Sequence, residues 1–238
     1  MVEAQYRNYQ HYVKEGWANQ PKESFKALVN LIRESKLRSE ANCLDVGCAT
    51  GELIYNLSSE FSHFKFFGID IFDSLINEAK KFQPNVEFKK QSILELPESY
   101  NNSFDLITAI GVLSIFDENT LPLFFDNILR ATIKNGKIYI LAPFNEYGVD
   151  IIVKHRKRVE RKLGLWETGW NVFSKETIVE CLGDKCSKFR FIPFKISKNL
   201  IPKEDPVRTW TIETPNNLFQ LTNGLKLLID HYFIEITK

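Results

Sequence analysis

The chain contains 238 residues, of which 44% are hydrophobic and 13% are aromatic, so it can bury a full core and is predicted to form one domain with elaborations. Its formal net charge of +1 excludes a general electrostatic field for nucleic acid or a membrane surface, so an anionic partner must be held by a local patch. Neither a signal-peptide pattern nor an apolar run of about eighteen residues is present, and we expect a cytoplasmic protein with no membrane partner.

The four cysteines form two pairs with C-x4-C spacing, Cys43 with Cys48 and Cys181 with Cys186. Neither pair has the spacing of a zinc ribbon. We therefore expect reduced thiols and no metal site.

Residues 1–40 are predicted to fold as helix, loop and helix. Five apolar residues at helical spacing indicate a helix that covers a sheet: Phe25, Leu28, Val29, Ile32 and Leu37. Four aromatic residues crowd the earlier, more polar part, and aromatics at such spacing usually belong to a core: Tyr6, Tyr9, Tyr12 and Trp17.

Residues 43–57, CLDVGCATGELIYNL, indicate a buried strand, a tight turn of small residues and the start of a helix. Gly47 and Gly51 lack side chains where the backbone must turn and where a ligand must approach closely. Asp70 follows at the tip of the next predicted strand, where an acid can accept hydrogen bonds from both hydroxyls of a ribose. The joint pattern predicts a site for a nucleotide-like cofactor.

A dinucleotide site would show G-x-G-x-x-G, whereas this turn alternates Asp45, Gly47, Ala49 and Gly51. The alternation resembles the D-x-G-x-G-x-G signature of class I S-adenosylmethionine-dependent methyltransferases. The resemblance implies that Asp45 orients the loop and the methionine ammonium group, and that Asp70 holds the ribose. Ala49 replaces the usual middle glycine, which is tolerated if its backbone angles are ordinary. Cys48 is expected to contact the ligand through its backbone.

The resemblance continues through the segments 85–97, 104–116 and 134–144, which look like the third, fourth and fifth strands of the family. Ser92 stands where the family has an acid that accepts a hydrogen bond from the adenine amino group. The resemblance also places three apolar residues beside the cofactor: Ile71, Ile93 and Ile110. The N-terminal helices of many family members cover the cofactor, which makes Tyr12 and Trp17 candidates for the substrate cleft.

The alternation of strands and helices from 41 to 144 favours an α/β fold with a doubly wound, mostly parallel sheet, and the resemblance implies that this sheet has seven strands. Ligands bind such sheets at the carboxyl ends of the strands, where the candidate residues fall. We divide the single domain into a helical cap (1–40), a cofactor-binding core (41–144), a lid or substrate insertion (145–173) and C-terminal strands (174–238).

The insertion is strongly basic over residues 154–162, which indicates either a solvated helix face or a clamp for a phosphate, carboxylate or sugar nucleotide. On a helix, Ile152, His155, Val159 and Leu163 share one stripe, which turns His155 inward. His155 is the candidate catalytic base, because histidine accepts protons near neutral pH. Three other residues compete with it for this role: Glu146, Tyr147 and Asp150.

Residues 174–184 predict an amphipathic helix with Ser174 as its N-cap, and 189–196 alternate as a strand. Three further β-rich runs, at 208–214, 217–225 and 231–238, are separated by turn signals. We interpret this tail as an extended antiparallel addition at one edge of the sheet, ending in the typical last strands of the family.

The resemblance implies a methyltransferase that uses S-adenosylmethionine and releases S-adenosylhomocysteine. We expect O-methylation of a small polar or anionic metabolite or saccharide, because nothing resembles an RNA-binding or peptide-recognition module. Two alternatives stay open: a tRNA or protein methyltransferase that uses the basic residues 154–162, and a non-catalytic protein that binds the cofactor. The acceptor and the oligomeric state are left undetermined by the sequence.

Overall fold

The computed structural model describes residues 12–13, 16, 20–159, 162–203, 205–215 and 218–238. Strands and helices alternate through the first two thirds, in the order α1 (Glu23–Glu34), β1 (Asn42–Val46), α2 (Glu52–Glu60), β2 (Lys65–Asp70), α3 (Asp73–Phe82), β3 (Glu87–Lys90), β4 (Phe104–Ile110), α4 (Leu121–Ala131) and β5 (Thr132–Asn145). The remaining elements are β6 (Lys154–His155), β7 (Arg158–Val159), β8 (Lys162–Leu163), β9 (Glu167–Thr168), β10 (Phe173–Ser174), α5 (Lys175–Leu182), β11 (Lys188–Phe194), β12 (Trp210–Thr214), β13 (Leu218–Thr222), β14 (Leu228–Ile229) and β15 (His231–Thr237). Tyr6, Tyr9 and Trp17, which the sequence placed in a core or a cleft, lie outside the described residues.

The central sheet has the strand order β11-β15-β5-β4-β1-β2-β3, and the short β10 pairs with the end of β5. Neighbours from β5 to β3 run parallel, whereas β15 runs antiparallel to both β5 and β11. The predicted doubly wound, mostly parallel sheet is therefore confirmed. No helix among the described residues has the length and apolar character needed to cross a bilayer.

Helices cover both faces of the sheet because successive side chains of each strand point to opposite sides. Cys43 and Tyr139 face the cluster formed with α1 and α2, whereas the adjacent Leu44 and Ile138 face the cluster formed with α4 and α5. Four residues of the stripe predicted for α1 are buried as expected: Phe25, Leu28, Val29 and Ile32. A fully buried leucine such as Leu28 contributes roughly 1.5–3 kcal/mol through removal of apolar surface from water.

The helix predicted for the insertion is wrong. Residues 154–155, 158–159 and 162–163 form short strands instead, with β6 paired to β9 and β7 paired to β8. Ile152 and Leu163, placed on the buried stripe of that helix, are 40% and 51% exposed. The spacing of a few apolar residues in a charged segment does not separate a helix from short hairpins, because tertiary pairing decides between them.

The tail confirms the predicted antiparallel addition at one edge of the sheet in β15 and β11, which follow β5 there, and departs from it only in β12, β13 and β14. β12, β13 and β14 form a separate three-stranded antiparallel sheet, and β15 lies inside the central sheet between β5 and β11. The predicted helix of the tail is confirmed as α5, and its N-cap Ser174 accepts a hydrogen bond from the Thr177 amide at 3.2 Å. The turn signals located the strands correctly, but they carry no information about which strand each one pairs with.

Candidate active site

The loop between β1 and α2 has a backbone that ordinary residues rarely adopt. Gly47, Ala49 and Gly51 all have positive φ, at 70°, 47° and 81°. The amides of Gly47 and Cys48 both donate to the Ile69 carbonyl, at 2.8 and 3.0 Å, so the loop is fixed to the end of β2. The predicted strand, tight turn and helix are all present.

Gly47 and Gly51 are required for steric reasons as well as for their positive φ angles. A Cβ on Gly47 would lie 2.4 Å from Cγ2 of Val112, and a Cβ on Gly51 would lie 2.8 Å from both Phe88 and Gln83. Contacts this close force the neighbouring atoms to move. The small residues therefore let the loop pack against the chain segments beside it.

Ala49 was expected to replace glycine without a cost if its backbone angles were ordinary. The structure shows that they are not. The Ala49 φ of 47° lies in the left-handed region, where Cβ crowds the backbone and costs roughly 1–2 kcal/mol. The Ala49 amide donates to the Asp70 carboxylate at 3.0 Å. That hydrogen bond helps to hold this strained residue in place.

Asp70 joins this loop to the loop after β2. One carboxylate oxygen accepts from Ala49 and the other accepts from the Phe72 amide, both at 3.0 Å. Each oxygen of a carboxylate has a second lone pair, so both can still accept hydrogen bonds from a ligand. Burial raises the pKa of Asp70, while the hydrogen bonds from Phe72 and Ala49 oppose that rise.

Asp45 lies at the end of β1 and is 4% exposed. The Thr108 hydroxyl on the neighbouring β4 donates to its carboxylate at 2.7 Å. Burial raises the pKa of Asp45 to about 7, with a smaller contribution from the nearby Asp70 charge, and the Thr108 hydrogen bond lowers it. A cation beside this carboxylate would be favoured strongly, because its charge would offset the cost of burying the ionised acid.

One cavity of about 1010 Å³ lies over the carboxyl ends of the parallel strands. This volume lies at the upper end of the range for small-molecule sites. Ten of the eleven predicted site residues line it: Asp45, Gly47, Cys48, Ala49, Asp70, Ile71, Ser92, Ile93, Ile110 and His155. Gly51 is not in the lining; it packs against Phe88 and its carbonyl accepts a hydrogen bond from Gln83 at 2.8 Å.

Ser92 and Cys48 each have a structural contact as well as a place in the cavity wall. The Ser92 hydroxyl accepts from the Leu94 amide at 3.2 Å and caps the short 3-10 helix that follows β3. The Cys48 side chain is buried in an apolar cluster with Ile54 and Phe88. The expected backbone contact of Cys48 with a ligand stays a prediction.

His155 lines the cavity from strand β6, not from a helix. Its partner across the strands is Glu167 of β9. Both ring nitrogens of His155 and Oε2 of Glu167 are buried and have no hydrogen-bond partner among the described residues. Burial lowers the pKa of His155, while the Glu167 charge opposes that effect.

The basic residues of 154–162 that the structure describes do not line the cavity. The Arg156 guanidinium lies 4.8 Å from the centre of the Trp166 ring, and Lys157 forms an ion pair with Asp205 at 3.4 Å. The described basic residues therefore give no support to a clamp directed at this cavity, and Arg161 lies outside the described residues. Other cations line the cavity instead: Lys22, Lys26, Lys198, Lys203 and Arg208.

The three residues that competed with His155 for the role of catalytic base, two acids and one tyrosine, lie outside the cavity lining. Glu146 accepts hydrogen bonds from Lys175 and Tyr232, and Asp150 accepts from the Ser174 amide at 2.7 Å. Tyr147 is 84% exposed. Tyr12 does line the cavity, as the sequence suggested.

Sequence reasoning missed a large part of the cavity wall, including Glu167, Trp170 and His231. No local signal identifies Glu167, because its place depends on the pairing of β9 with β6. His231 opens a strand that was predicted, but its place in the wall depends on the pairing of that strand with Pro143 of β5.

Comparisons with known proteins agree with this geometry. A family model described as a methyltransferase domain matches residues 37–193. A putative methyltransferase of invertebrate iridescent virus 6 is 27% identical over 118 residues, which cover 49% of this chain and 43% of the viral protein. The secondary metabolism regulator laeA of Coprinopsis cinerea is 26% identical over 149 residues, covering 61% of this chain and 35% of that protein. The chain thus spans less than half the length of these curated relatives.

Solved structures share the fold over nearly the whole chain. The complex of DhpI with SAH has a TM-score of 0.60 at 15% identity and covers 99% of this chain and 95% of its own. A SAM-dependent methyltransferase from Methanosarcina mazei has a TM-score of 0.57 at 18% identity, covering 87% of this chain and 96% of its own. Because the family model covers well over half of the residues and the central sheet has the matching form, the chain belongs to the class I S-adenosylmethionine-dependent methyltransferases.

Proposed function

We propose that the protein transfers a methyl group from S-adenosylmethionine to an oxygen of a small polar or anionic molecule bound in the same cavity. The observation that carries this proposal is the continuity of the cavity from the glycine loop after β1 to the His155 ring and Oε2 of Glu167, which have no hydrogen-bond partner among the described residues. The volume of about 1010 Å³ leaves room for a cofactor and a small acceptor together.

The residues around the loop fit the cofactor. Asp45 is a buried carboxylate that gains from a cationic partner, so it would bind the methionine ammonium group. Asp70 retains a lone pair on each oxygen for the two ribose hydroxyls. Gly47 lines the cavity with its backbone alone, which supports close passage of a ligand over this loop. Three residues would flank the adenosine, namely Ile71, Ser92 and Ile93, and Ile110 would lie toward the methionine end.

His155 would accept the proton that an acceptor hydroxyl loses. When bound, S-adenosylmethionine supplies the methyl group to the acceptor oxygen and leaves as S-adenosylhomocysteine, so the hydroxyl proton needs a base. Burial lowers the pKa of His155, so its imidazole is neutral near pH 7 and can take this proton. Glu167, directly across the strands, would stabilise the imidazolium that forms.

Two of the basic residues that support a tRNA or protein acceptor have partners within the chain. Arg156 contacts Trp166 and Lys157 pairs with Asp205, so these two cations are engaged within the chain and are not directed at the cavity. A small acceptor held inside the cavity fits the described residues better than a tRNA or a protein. The four free cysteines support a reducing, cytoplasmic location as part of the proposal.

The test uses donor that carries a radioactive methyl group, incubated with the purified protein and fractionated cell extract. We expect label to appear in a small molecule, which mass spectrometry then identifies. The variant His155→Ala should transfer label at least about a hundredfold more slowly, because general-base catalysis contributes about that much, and should bind the donor as tightly as the parent.

The matched control is His63→Ala, because His63 is exposed and lies outside the cavity lining. This variant should transfer label at the parental rate. Label in RNA or protein alone would overturn the small-molecule acceptor. No transfer to any fraction, despite donor binding, would favour the non-catalytic alternative.

A further inference from the structure

His231 occupies the ligand-binding edge of the sheet although it belongs to an antiparallel strand. It is the first residue of β15 and pairs with Pro143 near the carboxyl end of β5. The beginning of an antiparallel strand lies at the same edge as the ends of its parallel neighbours. The His231 side chain accordingly lines the cavity that also contains Asp45 and Gly47.

The strand order places His231 away from the adenosine side. β2 and β3 lie on one side of β1, and β15 lies three strands away on the other side. At about 4.8 Å between neighbouring strands, this separation is roughly 14 Å. His231 is therefore on the side of the cavity that leads from the methionine end of the cofactor to the acceptor.

One of the two ring nitrogens of His231, Nδ1, is buried and lacks a hydrogen-bond partner among the described residues. The Trp170 ring packs edge-on against it, with the ring centres 6.4 Å apart. A buried ring nitrogen without a partner costs stability, and packing against Trp170 and Pro143 would be served equally well by an apolar ring. This cost indicates that a ligand completes the hydrogen bond.

Building on the proposed function, we propose that His231 binds a second hydroxyl group of the methyl acceptor, while His155 receives the hydroxyl that is methylated. The acceptor class is then a small molecule that carries at least two hydroxyl groups. Three buried ring nitrogens in one cavity wall carry this inference, because both nitrogens of His155 and Nδ1 of His231 have no hydrogen-bond partner among the described residues.

A hydroxyl group matches this environment better than a charged group. Burial holds the pKa of His231 at about 4, with the Asp230 charge opposing the shift, so the ring is neutral at pH 7. A neutral imidazole nitrogen is a donor in one tautomer and an acceptor in the other, and a hydroxyl can pair with either. A carboxylate only accepts, and an ammonium group only donates. Apolar residues of this wall add to the preference for an uncharged group beside His231: Leu141, Pro143 and Phe194.

The test compares two variants on the extract fraction that the parental protein methylates. His231→Phe keeps an aromatic ring but removes both nitrogens, and His231→Asn keeps a hydrogen-bonding group near the position of Nδ1. We expect the half-saturating amount of that fraction to rise about tenfold for His231→Phe. His231→Asn should recover most of this loss. Binding of S-adenosylhomocysteine, measured by equilibrium dialysis, should be equal in all three proteins.

The methylated product provides a second measurement that does not depend on folding of the variants. Acetic anhydride should add at least one acetyl group to an oxygen of the purified product, because one hydroxyl stays free after methylation. A product that takes up no acetyl group, or unchanged half-saturation in His231→Phe, overturns this inference alone. Absence of label transfer by the parental protein overturns the proposed function as well.

Discussion

Asp45 should couple cofactor binding to the release of a proton. Its carboxyl has an ordinary pKa of 3.8, which burial raises to about 7 in the protein without ligand. Only the ionised form pairs well with the ammonium group of the ligand, whose own pKa is near 8, so that group stays charged below pH 7. Binding must therefore select the ionised acid, and the bound complex should have a lower pKa for Asp45.

The size of the effect follows from the pKa. About half of the molecules carry ionised Asp45 at pH 7 and about one in eleven at pH 6, so affinity for S-adenosylhomocysteine should fall about fivefold, or roughly 1 kcal/mol, over this interval. At pH 7, binding should release about half a proton.

Isothermal titration calorimetry measures both quantities when the titration is repeated in two buffers that differ in ionisation enthalpy. Asp45→Asn should bind more weakly at pH 7 but with little change between pH 7 and pH 6. Asp73→Asn is the matched control, since Asp73 is 68% exposed and pairs with Lys90, and it should keep the parental pH dependence. Equal affinity of the parent at the two pH values would refute the assignment of Asp45 to the ammonium group.

Three other outcomes test the same site. Asp70→Ala should weaken cofactor binding by about 1–3 kcal/mol through loss of charge-assisted hydrogen bonds, and unchanged calorimetric affinity contradicts its ribose role. Ala49→Gly should raise the free energy of unfolding by about 0.5–1 kcal/mol in urea, since glycine adopts φ of 47° without strain; a loss of stability refutes that strain. The folded protein holds the pKa of His231 at about 4, whereas its ordinary value is 6.5. Between pH 6.5 and pH 4 the unfolded chain therefore binds a proton at His231 that the folded protein does not bind. The free energy of unfolding should fall by up to about 3 kcal/mol as the pH falls through this interval, and His231→Asn should reduce that fall. Identical pH profiles of stability in the parent and the variant would contradict the lowered pKa of His231.

The residues proposed to bind the cofactor could be predicted because most of them lie close together in the sequence. Asp45, Gly47 and Gly51 lie within seven residues of one another in the printed sequence, and small residues between a buried strand and a helix have few structural solutions. Asp70 follows at the tip of the next strand, so its distance along the chain fixes its place in space. Local patterning of this kind locates the carboxyl ends of parallel strands without knowledge of the rest of the fold.

The acceptor half was not predictable in the same way. His155 was selected correctly as a cavity residue but on a helix that does not exist, because its inward direction comes from the pairing of β6 with β9. Glu167 and His231 enter the wall only through pairings between distant segments. Such pairings depend on strand order and register, which the alternation of apolar residues does not specify.

Asn171 links the insertion to the loop that follows β4. It is fully buried, its side-chain amide donates to the Phe116 carbonyl at 2.6 Å, and its side-chain oxygen accepts from the Val153 amide at 2.8 Å. Its own backbone amide donates to the Ser114 carbonyl at 2.9 Å. Because Ser114 and Phe116 also line the cavity, one asparagine sets the spacing between two halves of the wall. Exchange of residues 156–166, which leaves His155 and Glu167 in place, for those of a relative is therefore a practical route to new acceptor selectivity, provided that this anchoring asparagine and its three backbone partners are retained.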